Sequence, residues 1–311
     1  MTRWLRSTWV RAAITLGILA YLLRQVDGGA ALRAMLRTDP RALVLVGVLV
    51  LLDRAVMIWR WILLLRSSGT AIATGTAARI FLVSSFVGSF LPAGVGGDAA
   101  RAYALGQRTA QRGAAVASVA VDRILGVVAI ALMGAIGVSA YARHHLDPQV
   151  QVVAVGSLVA VLAASGLAVW ADRWARWFPA AWHEAPPLRP LLRVADSVAV
   201  YRDQPRTLAA VFGLSVLVQL LRILQAYGLG LGLGLTVPFS YYLVFMPIGL
   251  LMLLLPISIS GFGLPQGVMV WLLRPLGVPD ELSLALSTLI VLSGLFGNLP
   301  GALLYLRQRP H

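Results

Sequence analysis

The stretch 84-SSFVGSFLPAGVGGDAARAYALG-106 decides the fold, because it breaks an apolar helix inside a chain that is hydrophobic almost throughout. The preceding apolar segment ends at Pro92, three closely spaced glycines follow, and helix-forming residues resume with Asp98 and Arg101. In hydrocarbon, each backbone group without a hydrogen bond costs several kcal/mol. Such a break is therefore expected only inside protein or beside a water-filled cavity.

The composition around this stretch is that of an integral membrane protein. The 311 residues are 59% hydrophobic and only 12% charged, with a mean hydropathy of +0.82. All 26 basic residues are arginines, and 12 acids leave a net charge of +14. These arginines cluster at the ends of apolar segments, which favours topology control by the positive-inside rule over nucleic-acid binding. The absence of cysteine excludes thiolate metal sites and cysteine catalysis.

The apolar pattern predicts an all-α integral membrane protein with six full transmembrane helices plus two re-entrant broken hairpins, arranged as an inverted repeat. Each hairpin consists of a run too short to cross, a break, and a second short helix: 77–91 with 98–108, and 241–255 with 264–275. The six longer runs, each able to span a bilayer, are 9–26, 41–65, 112–142, 149–171, 206–235 and 281–306.

Arginine counts in the loops predict the orientation of a single polytopic domain, 1–311, in the cell (inner, cytoplasmic) membrane. The loop 172–206 holds six arginines, so it and both termini are expected in the cytoplasm. The first hairpin then enters from the cytoplasm and the second from outside. Pseudo-repeats of about 1–142 and 149–311, linked through 172–206, would have opposite orientations, as in secondary transporters. Surface helices are predicted within 24–41, with Ala30, Leu32, Met35 and Leu36 on its apolar face, and over 190–203.

The first break is a candidate anion site. It exposes amide groups at the start of the following half-helix, where anions are favoured. Asp98 and Arg101 are three residues apart, so their side chains share one helix face. A charge at membrane depth suggests a functional site. The alternative is that Asp98 only caps the helix and Arg101 only anchors it at the interface.

The second break, 254-LLPISISGFGLPQG-267, has similar chemistry without charge. Ser258 can cap exposed amides, Gly261 and Gly263 permit close approach of a lipid or helix, and Gln266 stands near the start of the second half-helix. The alternative is a bent, packed helix whose serines bond locally.

Charges also occur within the full crossings, where each needs a partner or a wet cavity. Asp53 is expected to pair structurally with an arginine on another helix. Arg222, flanked by Gln219 and Gln225, is expected to face a cavity. The sequence GLGLGLG at 228–234 is interpreted as close packing or an unwound helix end. The remaining charges at this depth are Arg54, Arg60, Asp122 and Arg123.

These blocks resemble the lysylphosphatidylglycerol synthase transmembrane family, also described as a flippase-like domain, over nearly the whole chain. The motifs are FLPAGVGGDAAR, the VDRILG that follows, and LPISISGFGLPQG. Where that family often has Glu, this chain has Gln266, which puts a proton- or cation-handling step in doubt. The positions that match the family blocks are Pro92, Gly97, Asp98, Arg101, Asp122, Arg123, Pro256, Ser258, Gly261 and Gly263.

The resemblance implies a flippase-like transporter that moves a phospholipid, glycolipid or polyprenyl-phosphate-linked lipid between leaflets, without lipid synthesis. The chain has no G-x-x-x-x-G-K-[ST] motif, so direct ATP drive is not expected. The alternatives are a membrane-embedded lipid-modifying transferase and an accessory subunit for lipid-biosynthesis enzymes. We expect no enzymatic activity, cofactor, metal or nucleic-acid partner. The expected substrate-binding residues are Pro92, Gly97, Asp98, Arg101, Asp122, Arg123, Arg222, Ser258, Gly261, Gly263 and Gln266.

Overall fold

A computed structural model describes residues 27–91, 96–109, 112–141, 147–169, 201, 203–252 and 263–307, and all regular structure within them is helical. The chain passes from a short helix into long helices interrupted by two pairs of shorter ones. In chain order the helices are α1 (Gly28–Leu36), α2 (Pro40–Ser67), α3 (Thr74–Gly88), α4 (Gly96–Gly106), α5 (Arg112–Tyr141), α6 (Pro148–Val169), α7 (Pro205–Gly232), α8 (Phe239–Met252), α9 (Leu264–Leu273) and α10 (Asp280–Leu306).

Five of these helices (α2, α5, α6, α7 and α10) are long and apolar enough to cross a membrane. They match five of the six predicted crossings, and the sixth, 9–26, lies outside the described residues. Large apolar side chains cover their outer surfaces; Val44 and Val152, for example, are 69% and 72% exposed. An apolar exterior of this kind suits contact with lipid rather than water. The chain is a multi-pass membrane protein.

The two helices α2 and α7 pack along their whole lengths in opposite directions. Gln204, just before α7, donates to the Ser67 carbonyl at the end of α2. At the other end, a methyl group added to Gly232 would lie 2.7 Å from Ala42 Cβ. Gly228 likewise lies against Val46, so the glycines of 228–234 allow close packing, as the sequence predicted. This antiparallel seam forms the centre of the fold.

The first hairpin, α3 and α4, forms on either side of the quoted break. Its legs touch backbone to backbone, because a methyl group added to Gly88 would lie 2.5 Å from Gly97 Cα. Ser84 donates to the Phe81 carbonyl, which satisfies its hydroxyl within α3. The spacing of glycines in the motif therefore has a packing reason, and it brings Asp98 against Arg123 of α5.

Each hairpin packs on the last long helix of the opposite half of the chain. On one side α3 meets α10, where a side chain at Gly301 would collide with the Leu82 carbonyl. On the other side α8 meets α5, where a side chain at Gly137 would collide with the Leu243 carbonyl. Both contacts need glycine because the two helix backbones approach each other directly. The halves are thus interlocked rather than side by side.

The second hairpin, α8 and α9, starts its second leg with a glycine in a conformation that other residues rarely adopt. Gly263 has φ +98° and its amide donates to Gln266 Oε1 at 2.6 Å. The helix predicted within 24–41 is α1, whose Ala31 is buried against Val270 of α9. Of its predicted apolar face, Leu32 and Leu36 are exposed. The helix predicted over 190–203 lies outside the described residues.

Candidate functional site

Two adjoining cavities lie between the first hairpin and the central helices. The smaller has a volume of about 120 Å³ and the larger about 370 Å³. Both are lined by Gly97, Asp98, Arg123, Ile130 and Arg222, so they share one wall. Residues from α2, α3, α4, α5 and α7 line them, and α8 and α10 complete the larger one. The site therefore forms only when both halves of the chain are present.

A buried ion-pair cluster closes one end of the smaller cavity. Asp122 on α5 lies 2.7 Å from Arg60 Nε and 3.1 Å from Arg101 Nη2. Arg60 also donates to Ser215 on α7 at 3.0 Å. Asp122 thus joins three helices, α2, α4 and α5, at this point. Removing one partner from this cluster would leave a buried charge without compensation.

Aromatic rings and carboxylates contact the guanidinium of Arg101. Its plane lies over the rings of Trp61 and Phe81, with ring centroids 5.1 and 5.0 Å from Cζ. Its Nη2 donates to Asp98 at 2.9 Å, the i,i+3 pairing that the sequence predicted. The side chain is only 5% exposed. These contacts position Arg101 as a fixed support of the site, while it still borders the smaller cavity.

Asp98 links this support to a more open arginine. It lies in the first turn of α4, where the helix dipole favours a carboxylate. Its second oxygen lies 3.4 Å from Nε of Arg123, whose side chain is 42% exposed. The charges of α2, α4 and α5 thus run in one chain from the buried Arg60 to Arg123 at the cavity surface.

A second set of charges lies at the middle of the seam between α2 and α7. Asp53, 1% exposed, is 3.3 Å from Nε of Arg222 and 3.6 Å from Nε of Arg54. Arg222 also points Nη2 at the Met57 sulfur at 3.2 Å and retains 24% exposure. Both expectations hold, since Asp53 pairs with an arginine of another helix and Arg222 lines a cavity.

The larger cavity has one polar and one apolar side. The charged side is formed by Asp53, Arg54, Asp98, Arg123 and Arg222. Helices α8 and α10 add apolar side chains to the lining, together with the polar Ser293 and Asn298, and Gly294 of α10 faces open space. These apolar lining residues are Met246, Leu250, Ile290, Val291 and Leu295. A space of this kind fits a molecule with a polar group joined to a hydrocarbon part.

The structure brings together six of the eleven predicted site residues. Gly263 and Gln266 line neither cavity and instead form the start of α9. Pro92, Ser258 and Gly261 lie outside the described residues, so their predicted role stays a prediction. The six residues that meet at the cavities are Gly97, Asp98, Arg101, Asp122, Arg123 and Arg222.

Several polar residues that line the cavities were outside the predicted set, among them Arg54, Arg60 and Asn298. Arg54 and Arg60 flank the charged side, and their charge at membrane depth was the signal that could have placed them there. Asn298 lines the larger cavity and donates to Ser89 at 2.8 Å. Only the fold reveals this residue, because its partner is 209 positions away in the chain.

Comparison with known sequences identifies the class of membrane domain. The family profile described as the lysylphosphatidylglycerol synthase TM region matches residues 8–301 of this chain. The match includes both breaks and every charged residue that lines the two cavities. No match was found among curated proteins.

Proposed function

The chain belongs to the lysylphosphatidylglycerol synthase transmembrane family, and from this premise we propose that it is a flippase-like transporter that moves a lipid between membrane leaflets. The larger cavity carries the proposal, because it combines arginines with an apolar wall inside a membrane domain. A phosphate-bearing head group would contact the arginines through charge-assisted hydrogen bonds. The first part of a hydrocarbon chain would lie against Met246 and Leu295.

Inverted repeats would give such a site access from both sides in turn. The second crossings of the two halves, α2 and α7, are antiparallel and in contact. The pairs α3 with α10 and α5 with α8 are equivalent under exchange of the halves. These relationships support an inverted arrangement with Asp53 and Arg222 close to its centre. Rocking of one half against the other would expose the cavity to each leaflet alternately.

Transport fits the cavity better than chemical modification of the lipid does. An acid or base catalyst needs a carboxylate or imidazole able to exchange protons. Among the described residues, the carboxylates that line the cavities are Asp53, Asp98 and Asp122, and each is paired with arginine. We therefore propose no enzymatic role and no direct use of ATP. The orientation that fits this function places both termini and residues 172–206 on the cytoplasmic side of the inner membrane.

The proposal is tested in vesicles that contain the purified protein and a trace of head-group-labelled phospholipid. Transport is read as the fraction of label that an impermeant quencher reaches over time. We expect the wild type to move label faster than protein-free vesicles do and Arg222→Gln to lose most of that activity. Arg66→Gln is the matched control, since it removes one positive charge from the exposed end of α2. Full activity of the Arg222 variant would contradict this site, and a wild type no faster than protein-free vesicles would favour an accessory-subunit role.

A further inference from the structure

The smaller cavity is bordered by a glutamine whose side-chain oxygen receives no hydrogen bond. Gln219 of α7 lines this cavity and is 3% exposed. Its Nε2 donates to the Gly126 carbonyl of α5 at 3.4 Å. Because a carbonyl only accepts, this contact fixes the orientation of the amide. The other amide atom, Oε1, is buried and has no donor among the described residues. A buried acceptor of this kind is costly unless a water or a ligand donates to it.

A donor that lacks an acceptor borders the same cavity. Arg101 donates from Nη2 to Asp98 and Asp122, but its Nε is buried without an acceptor in the part of the chain that the structure describes. Arg60 Nε and Asp122 Oδ1 also border this cavity, and they compensate each other as an ion pair at 2.7 Å. The smaller cavity therefore needs a donor at Gln219 and an acceptor at Arg101.

Gln219 lies one helical turn from the arginine that the proposed function assigns to a phosphate. Residues three positions apart on a helix are neighbours on one face, and Gln219 and Arg222 both line the smaller cavity. Arg222 also lines the larger cavity, as do the apolar Leu250 and Leu295, whereas Gln219 does not. A lipid with its phosphate at Arg222 and its hydrocarbon in the larger cavity would therefore place the outer part of its head group in the smaller one.

A hydroxyl group supplies what both residues need. It has one donor and two acceptor positions, whereas an ammonium group only donates and a methyl group does neither. The volume of about 120 Å³ has room for several waters, which can make the same hydrogen bonds before a lipid enters. A hydroxyl reproduces the hydrogen bonds of a displaced water, but an apolar group leaves Gln219 and Arg101 unpaired.

We infer that the smaller cavity binds hydroxyl groups of the lipid head group beyond its phosphate, and that Gln219 distinguishes a hydroxyl from an apolar group of similar size. This inference rests on the proposed function and names the substrate class of the same site. The class is a phosphodiester lipid whose head-group alcohol carries at least one further hydroxyl. Gln219 accepts from that hydroxyl, and Arg101, held in place by its carboxylates, donates to it or to a second one.

Three esters of one phosphatidic acid test the inference, because they differ only at the end of the head group. The hydroxypropyl, butyl and aminopropyl esters end in a hydroxyl, a methyl and an ammonium group, each on the same three-carbon chain. Their binding to the purified full chain in detergent is compared by native mass spectrometry. We expect the hydroxypropyl ester to bind about tenfold more tightly than the butyl ester, which leaves buried polar atoms unpaired. Equal binding of these two esters, or tightest binding of the aminopropyl ester, would overturn the inference.

A variant of Gln219 connects the preference to this side chain. Gln219→Leu should abolish the preference for the hydroxypropyl ester over the butyl ester, because it removes the acceptor. Gln204→Leu is the matched control, since Gln204 also donates from Nε2 to a helix carbonyl, that of Ser67, but lines neither cavity. The readout is a ratio of two affinities, which a general loss of stability would not change. Gln219→Met serves if Gln219→Leu does not fold, and an unchanged ratio would remove Gln219 from the site.

The binding result and the transport result are separable. Preferential binding of the hydroxypropyl ester without movement between leaflets would overturn the proposed transport and leave the preference standing. Movement of the hydroxypropyl and butyl esters with equal affinity would overturn the preference and leave transport standing.

Discussion

Asp53 Oδ1 lies 3.3 Å from Arg222 Nε, and this ion pair joins the two antiparallel central helices near the middle of the membrane domain. The two residues are 169 positions apart. Their contributions to stability are unequal. Asp53 has a second arginine, Arg54, at 3.6 Å, whereas Asp53 is the only carboxylate within 4 Å of Arg222 among the described residues.

We expect Asp53→Asn to destabilise the protein much more than Arg222→Gln does. The first change leaves Arg54 and Arg222 side by side without their shared carboxylate, at a cost of about 3 kcal/mol. The second leaves Asp53 paired with Arg54 and should cost about 1 kcal/mol. Thermal unfolding in detergent measures the loss of stability in both variants. A larger loss for Arg222→Gln would contradict the pairing described.

Filling the larger cavity should stop transport without harming the fold. A side chain at Gly294 meets nothing within 4 Å, and this residue lines the cavity. We expect Gly294→Leu to reduce lipid movement in vesicles by about tenfold or more, because even one misplaced group disturbs a bound geometry. Gly156→Leu on α6 is the control, since its site is also open but outside the cavities. Equal activity of the two variants would refute the cavity as the lipid site.

The helix contacts between the halves should be sensitive to a single methyl group. Gly137→Ala and Gly301→Ala place a methyl against a backbone carbonyl of α8 or α3. We expect each to lower stability by about 1–3 kcal/mol, the usual cost of overpacking. Gly213→Ala meets nothing within 4 Å and should be neutral or slightly stabilising. The melting temperatures of the three variants, measured by thermal unfolding, test this prediction. Similar values would contradict the close approach of the helix backbones.

The orientation of the hairpins can be read with single cysteines, since the chain contains none. Gln107 follows α4, and Pro275 follows α9; both are exposed. In an inverted arrangement Gln107→Cys should react with an impermeant thiol reagent from the cytoplasmic side and Pro275→Cys from the outside. Labelling of intact cells and of inverted vesicles measures this. Reaction of both cysteines from one side would rule out hairpins of opposite orientation.

The sequence was sufficient to predict the helices and the first break. Runs of apolar residues placed five crossings within about three residues of their observed ends, because membrane thickness sets helix length. The glycines and Pro92 marked the hairpin, and the i,i+3 spacing gave the contact of Asp98 with Arg101. Helix length, break residues and i,i+3 spacing are local properties, so they can be read from a single segment of the sequence.

The pairing of charges between helices could not be predicted. Arg101 was expected to bind a ligand, which stays a prediction; its contacts with Asp122 and two aromatic rings could not be read from the sequence. Asp122 is 21 residues away, on another helix, and only the packed fold brings it close. Gln266 was assigned to the site by its position after the second break, yet its carbonyl oxygen caps α9. Local helix capping uses the Oε1 of that side chain, while its Nε2 is buried without a hydrogen-bond partner among the described residues.

The exchange of helix partners between the halves has a consequence for how the protein is made. The first hairpin packs at Leu82 against Gly301, and 219 residues of synthesis separate them, which takes about 10–40 s at ordinary translation rates. During that interval α3 is in the membrane, and α10, whose Gly301 it contacts, has not yet been synthesised. The ion pairs of Asp122 with Arg60 and Arg101 require only the first half of the chain. They can therefore hold the unfinished hairpin in place until the last helix is inserted.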